Sequence, residues 1–141
     1  MRDAAGYIDE IKSLLISLVF VADFEMLREE TLGMTGLYRL RARLDGGSVL
    51  EMFEYFQVLE DQTTGVGKYS FHWQNSDGGL IRRWDNAPHH PEIPSFPNHV
   101  HHGATGEVSQ SPPVSGVQIL KMLEMSLDGT RFLAKHAGRS G

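Results

Sequence analysis

The stretch that decides the fold is Tyr38-Arg39-Leu40-Arg41-Ala42-Arg43-Leu44-Asp45-Gly46-Gly47-Ser48-Val49-Leu50-Glu51-Met52-Phe53-Glu54-Tyr55-Phe56-Gln57-Val58. Tyr38, Leu40, Ala42 and Leu44 alternate with Arg39, Arg41 and Arg43. Side chains of an extended chain point alternately to its two faces, so this half predicts a strand with one apolar and one cationic face. Asp45-Gly46-Gly47 supplies a hairpin turn. The strand after it, residues 49–59, places Leu50, Met52, Phe56 and Val58 on its apolar face, with Glu54 in their midst. A carboxylate there is costly unless paired. It is expected either to bond Arg39, Arg41 or Arg43 across the sheet, or to carry a raised pKa suited to general-base work. The structural ion pair is the commoner outcome. The three arginines repel one another unless carboxylates such as Glu51, an RNA phosphate or an acidic partner lie opposite.

Downstream, residues 68–74, the turn Asn75-Ser76-Asp77-Gly78-Gly79 and residues 80–85 repeat the hairpin pattern. Two successive hairpins predict an antiparallel meander of four to five strands. Upstream, Tyr7, Ile8, Ile11, Leu14, Leu15 and Leu18 recur at helical spacing and predict a first helix over 7–17. Between them, Phe20, Ala22, Phe24 and Met26 alternate as in a strand, while residues 25–30 suit a helix equally. A last helix is expected from about Pro112-Pro113, with Val117, Leu120, Leu123 and Leu127 as its buried stripe and Asp128-Gly129 as its stop. The fold class is therefore α+β: one domain over 1–135, with an N-terminal and a C-terminal helix, followed by a flexible tail at 136–141.

Chain-wide properties narrow the function. At 141 residues the chain can bury a core without staples, and it has no cysteine, so disulfides and thiolate metal sites are excluded. The net charge of −5 argues against bulk nucleic-acid binding but not against a local cationic site. The apolar run at 14–22 is too short to span a bilayer and is preceded by Asp3, Asp9 and Glu10, which do not suit a secretory signal. The expectation is a cytoplasmic protein with no membrane association.

Residues 86–111 show no periodicity, and loops of that length in compact domains are usually functional or disordered. Five of the seven histidines lie there (His89, His90, His99, His101 and His102), and all six prolines fall between Pro88 and Pro113. Imidazole exchanges protons near neutral pH and ligates metals. Acid–base or substrate-binding use ranks first, a solvated loop next, and a metal site third, because no His-Glu-x-x-His spacing occurs. Where the fifth strand enters the loop, Arg83 and Asp85 share one face and Arg82 and Trp84 the other. Arg83 suits a phosphate. Asp85 and Asn86 can orient a histidine or simply begin a turn. On the preceding strand, Tyr69, Phe71 and Trp73 form an aromatic face, which is more often core than a stacking platform, while His72 lies on the polar face near Arg83.

The run Tyr-Ser-Phe-His-Trp-Gln from Tyr69, the string Arg-Trp-Asp-Asn-Ala-Pro-His-His-Pro from Arg83 and Phe-Pro-Asn-His-Val-His-His-Gly from Phe96 together resemble the TumE family of bacterial and archaeal toxin–antitoxin proteins. Gly47 to Glu54 fits the same pattern, and the similarity extends over about residues 30–128. The resemblance implies a growth-inhibiting toxin paired with a cognate helix-turn-helix antitoxin, with a ribonuclease-type activity on RNA. It maps the family's tyrosine, Arg-x-Asp-Asn string and histidines onto Tyr69, Arg83, Asp85, Asn86, His89, His90, His99 and His101. Where the family often has a further histidine before His99, this chain has Asn98.

Three activities fit. The first is a metal-independent endoribonuclease without cofactor, in which His89 or His90 is the base, His99 or His101 the acid, and Arg83, with Asp85, serves the phosphate. Tyr69, His72, Asn86 and Arg82 would then bind substrate, with Glu54 in support. The second is a non-catalytic inhibitor that binds a nucleic acid or a protein. The third is a metal-dependent hydrolase using the histidines as ligands. A homodimer is compatible with each.

Overall fold

The computed structural model describes residues 2–137, with side chains for all but 66 and 128–137. Helix α1 (Ala4–Ser17) is followed by strands β1 (Val21–Leu32), β2 (Thr35–Leu44), β3 (Val49–Val58), β4 (Thr64–Gln74), β5 (Leu80–Asp85), β6 (His99–His102) and β7 (Val108–Gln110), and then by helix α2 (Gly116–Ala137). The strands form one antiparallel sheet in the order β1 to β7. The meander, the α+β class and both terminal helices agree with the sequence-based expectation. The strand count does not: seven strands pair among the described residues, against four to five expected.

Two of the additional strands lie in the segment that lacks periodicity. β6 and β7 are four and three residues long, too short for alternation to register. They hold their place by pairing onto β5. The ambiguous stretch after α1 is wholly extended, as β1, because it pairs along β2 from Val21 to Leu32.

The helix ends also differ from expectation for local reasons. α1 begins at Ala4 because Asp3 caps it, its carboxylate accepting the Gly6 N–H at 2.8 Å. α2 begins not at the prolines but at Gly116. Ser115 and Gln118 form a reciprocal capping box there, with the Ser115 N–H on the Gln118 side-chain oxygen at 2.8 Å and the Gln118 N–H on the Ser115 hydroxyl at 3.2 Å. The helix passes the expected stop at Asp128-Gly129 and runs to Ala137. A glycine inside a helix costs only about 1 kcal/mol, and no proline follows this one. The tail expected at 136–141 lies, from residue 138 on, outside the described residues.

Both helices cover one face of the sheet. Tyr7, Ile8, Ile11 and Leu15 from α1 and Ile119, Leu120 and Leu123 from α2 bury against Tyr38, Leu40, Leu50, Met52, Phe56, Tyr69 and Phe71. The aromatic face of β4 is thus core at Tyr69 and Phe71. Glu54 is fully buried in this layer, and it corrects the expected pairing with the arginines. Its Oε1 accepts the Tyr38 hydroxyl at 2.8 Å, the Tyr7 hydroxyl at 2.9 Å and the Gly116 N–H at 3.1 Å. Strand alternation puts the arginines on the other face, beyond its reach. One carboxylate thereby ties α1, β2, β3 and the start of α2 together. Position 116 must be glycine for this, because a Cβ there would collide with the Tyr38 hydroxyl.

Among the described residues, no helix is long and apolar enough to cross a membrane. The face of the sheet away from the helices carries the polar residues in two rows fixed by the register. One row is Arg39, Phe53, Ser70, Asp85 and His99, and the other is Arg41, Glu51, His72, Arg83 and His101.

Candidate functional site

The pairing of β5 with β6 sets Asp85 opposite His99 and Arg83 opposite His101, all on the open face. Residues 86–98 fold back and bring His90 against them. The His90, His99 and His101 rings meet edge to face, with centroids 4.9 Å apart for His90–His99 and His99–His101 and 5.5 Å for His90–His101.

Asp85 is the hub. Its Oδ1 lies 2.9 Å from His99 Nε2 and accepts the Ala87 N–H at 3.0 Å. Its Oδ2 accepts Arg83 Nε at 2.8 Å and lies 3.6 Å from His101 Nε2. Burial pushes this carboxyl up. The bonds from Arg83 and the Ala87 N–H, with the charges of His99 and Arg83, outweigh burial and hold it below the usual range. Asp85 therefore both begins a turn and orients histidines.

The three clustered imidazoles are not equivalent. His99 is 2 % exposed, and its Nδ1 faces the Pro97 carbonyl at 2.8 Å while Nε2 faces Asp85. Both neighbours are acceptors, so the ring meets both only by donating from both nitrogens, and none remains for substrate. His101 is partly exposed. Burial, opposed by the Asp85 charge and helped by His99, His90 and Arg83, lowers its pKa and favours the neutral ring. His90 is also partly exposed, with Nδ1 3.3 Å from Glu92. Arg83 extends from Asp85 toward His72, its Nη1 lying 3.3 Å from the His72 Nδ1.

Several candidates from the sequence lie apart from this cluster. His89 is exposed and its ring meets no partner among the described residues. His102 is on the opposite side of β6, 2.7 Å from the Ser109 hydroxyl. Arg82 points away from Arg83 and lies over the Trp84 ring at 5.7 Å. Glu54 faces the helices. Asn86 is spent on the backbone of β4, accepting the Tyr69 N–H at 3.1 Å and donating to the Gly67 carbonyl at 2.7 Å. Tyr69 is buried on the helix side, and its hydroxyl donates to Asn98 Oδ1 at 2.9 Å. Burial, and then the Asp85 charge, pushes that phenol up to about 12.

Sequence reasoning met Asn98 only as a departure from the family pattern, without its bond to Tyr69, and passed over Lys68, which borders the site. Arg39, Glu51, Phe53, Lys68, Ser70, His72 and Arg83 line a groove of about 260 Å³ on the open face, beside Asp85. Cross-strand register is the signal that sets Arg39, Phe53 and Ser70 in one row with Asp85, and it cannot be read without knowing which strands pair.

His90, His99 and His101 are also the one described trio whose ligand atoms lie together, all within 4.8 Å of one another. A divalent transition metal with ~2.1 Å bonds to nitrogen would need the rings to draw closer and His99 to release either Asp85 or Pro97. The arrangement supports proton transfer and anion binding more directly than metal ligation.

No curated protein and no solved structure matches the chain. A family model described as Toxin TumE matches residues 11–125. That span holds the meander, the loop and the histidine strand, and with it Asp85 and every imidazole of the cluster. The chain belongs to the TumE toxin family.

Proposed function

We propose that this toxin inhibits growth by cleaving RNA through histidine acid–base chemistry, and that a helix-turn-helix antitoxin restrains it. The observation that carries the reading is the convergence of two partly exposed imidazoles, His90 and His101, beside Arg83 on an Asp85 anchor. Cleavage by the 2′-hydroxyl needs a base for that hydroxyl, an acid for the leaving 5′-oxygen and a cation for the charge on phosphorus. His101, favoured as the neutral ring, takes the 2′-hydroxyl proton. His90 returns one to the 5′-oxygen, and the free end of the Arg83 guanidinium holds the phosphate. His99, buried between Asp85 and the Pro97 carbonyl, positions the other two rather than reacting.

The test incubates purified protein with total RNA, with and without EDTA. His90→Ala and His101→Ala should each cut cleavage by about 10²–10⁴-fold, the span of a lost general acid or base. Cleavage undiminished in both variants overturns the assignment. A second reading, a metal-dependent hydrolase, rests on the proximity of the three imidazole ligand atoms. It predicts cleavage lost with EDTA and restored by a divalent transition metal.

A further inference from the structure

Resting on the ribonuclease reading, we propose that the open-face groove of Arg39, Phe53, Lys68 and Ser70 holds the single-stranded RNA that flanks the scissile phosphate. Three observations support it. The first is charge. Arg41 is paired with Glu51 and Arg43 with Asp23, but Arg39 and Lys68 have no carboxylate partner among the described residues. Glu51 also lines the groove, but Arg41 bonds its carboxylate, so in a chain of net charge −5 the two cations left without a carboxylate there mark a place for an anion.

The second is chemistry of the wall. Phe53 is a partly buried aromatic set between the polar Arg39 and Ser70 of its row, with the Arg39 guanidinium 4.8 Å from its ring centroid. Tyr55, two residues on along the same face, is 46 % exposed. Aromatic rings among cations are the recurrent device for unstacked bases, whose faces lie hidden in a duplex.

The third is position. Register places Arg39, Phe53, Ser70 and Asp85 on consecutive strands. At ~4.8 Å per strand, Arg39 stands about 14 Å across the sheet from the catalytic anchor. A strand of RNA lying across β2, β3 and β4 would thus deliver its phosphate to Arg83, His90 and His101. Lys68 and Arg39 would contact flanking phosphates, and Phe53 would stack one base.

The probe is a short fluorescein-labelled single-stranded RNA of mixed sequence. Binding is read by anisotropy in a His90→Ala/His101→Ala background, and cleavage in proteins with both histidines intact. Arg39→Gln/Lys68→Gln removes two exposed charges. It should weaken binding and make the slope of log affinity against log salt shallower by about 1.4, at ~0.7 per phosphate contact on a single strand. Phe53→Leu, which keeps apolar bulk, should weaken binding about tenfold with the slope unchanged. Thermal melting checks that each variant is folded.

If the wild type cleaves the probe while both groove variants bind and cleave as it does, the track is wrong and the ribonuclease reading stands. If the His90→Ala/His101→Ala protein binds in the groove but the wild type leaves the RNA intact, the track stands and the ribonuclease reading falls. If a duplex of the same sequence binds as tightly as the single strand, the proposed ligand is wrong. If no RNA binds at all, both fall.

Discussion

Glu54 offers the sharpest separation of structural from catalytic roles. Glu54→Leu keeps the apolar volume of the side chain but removes the acceptor for three buried donors: the Tyr38 hydroxyl at 2.8 Å, the Tyr7 hydroxyl at 2.9 Å and the Gly116 N–H at 3.1 Å. Each buried donor left without a partner costs ~1–3 kcal/mol. Partial rearrangement of the two hydroxyls brings the sum to about 3–6 kcal/mol. That is a large share of the ~5–15 kcal/mol that holds a typical domain together. In urea denaturation followed by circular dichroism, Glu54→Leu should unfold at a much lower midpoint. Glu54→Gln should do far better. Its side-chain oxygen can serve Tyr38 and Gly116, and its amide can donate to the Tyr7 oxygen.

The pH dependence follows the same logic. Burial raises the Glu54 pKa, and the Tyr38, Tyr7 and Gly116 bonds oppose the rise without cancelling it. A carboxyl with a raised folded value contributes stability fully below its unfolded pKa of about 4.3. That contribution is lost as pH climbs through the raised value. Glu54→Gln, which cannot ionise, should therefore lose less stability than the wild type across that interval. The reasoning is refuted if Glu54→Gln keeps the wild-type urea midpoint yet loses RNA cleavage a hundredfold. That would place Glu54 in the chemistry rather than in the core.

Three further outcomes are expected. His89→Ala should leave growth inhibition near the wild-type level while His90→Ala abolishes it, because only the second ring joins the cluster; equal effects in a plating assay would contradict this. The acid limb of the cleavage pH profile should have its midpoint below the ordinary histidine value of about 6.5, and Asp85→Asn, which removes the charge that raises His101, should move it lower still; an upward shift would overturn the role given to His101. Ser115→Ala should cost about 1 kcal/mol in urea denaturation through loss of the capping box; an unchanged midpoint would remove the cap from the account of where α2 begins.

How far the chain could be read follows from the range of its interactions. The alternation at 38–58 and the two glycine-bearing turns are local, and they were legible as hairpins. Helix α1 was legible in its apolar spacing, although its true start needed the Asp3 cap. β6 and β7 were not legible, since three or four residues carry too little pattern. The capping box at Ser115 and Gln118 was present in the sequence but less conspicuous than Pro112-Pro113. Among site residues, Arg83, Asp85, His90, His99 and His101 were named from residue type and resemblance, and the fold assembles them. Tyr69 and Asn86 were named too, but their polar atoms are spent on Asn98, Gly67 and the backbone of β4.

By itself, then, the sequence determined the class of the fold, the sidedness of its central strands and the group of residues able to move protons. Period-two patterning, turn chemistry and side-chain identity are properties of neighbours in the chain. Which imidazoles would meet, and which carboxylate would hold them, was decided only by the tertiary structure. The pairing of β5 with β6 and the return of residues 86–98 joined His90, His99 and His101 to Asp85. Glu54 and Arg82 stay out of the cluster because strand alternation turns them to the other side of the sheet. Which residues become neighbours on a face depends on register, and register is set by partners distant in sequence.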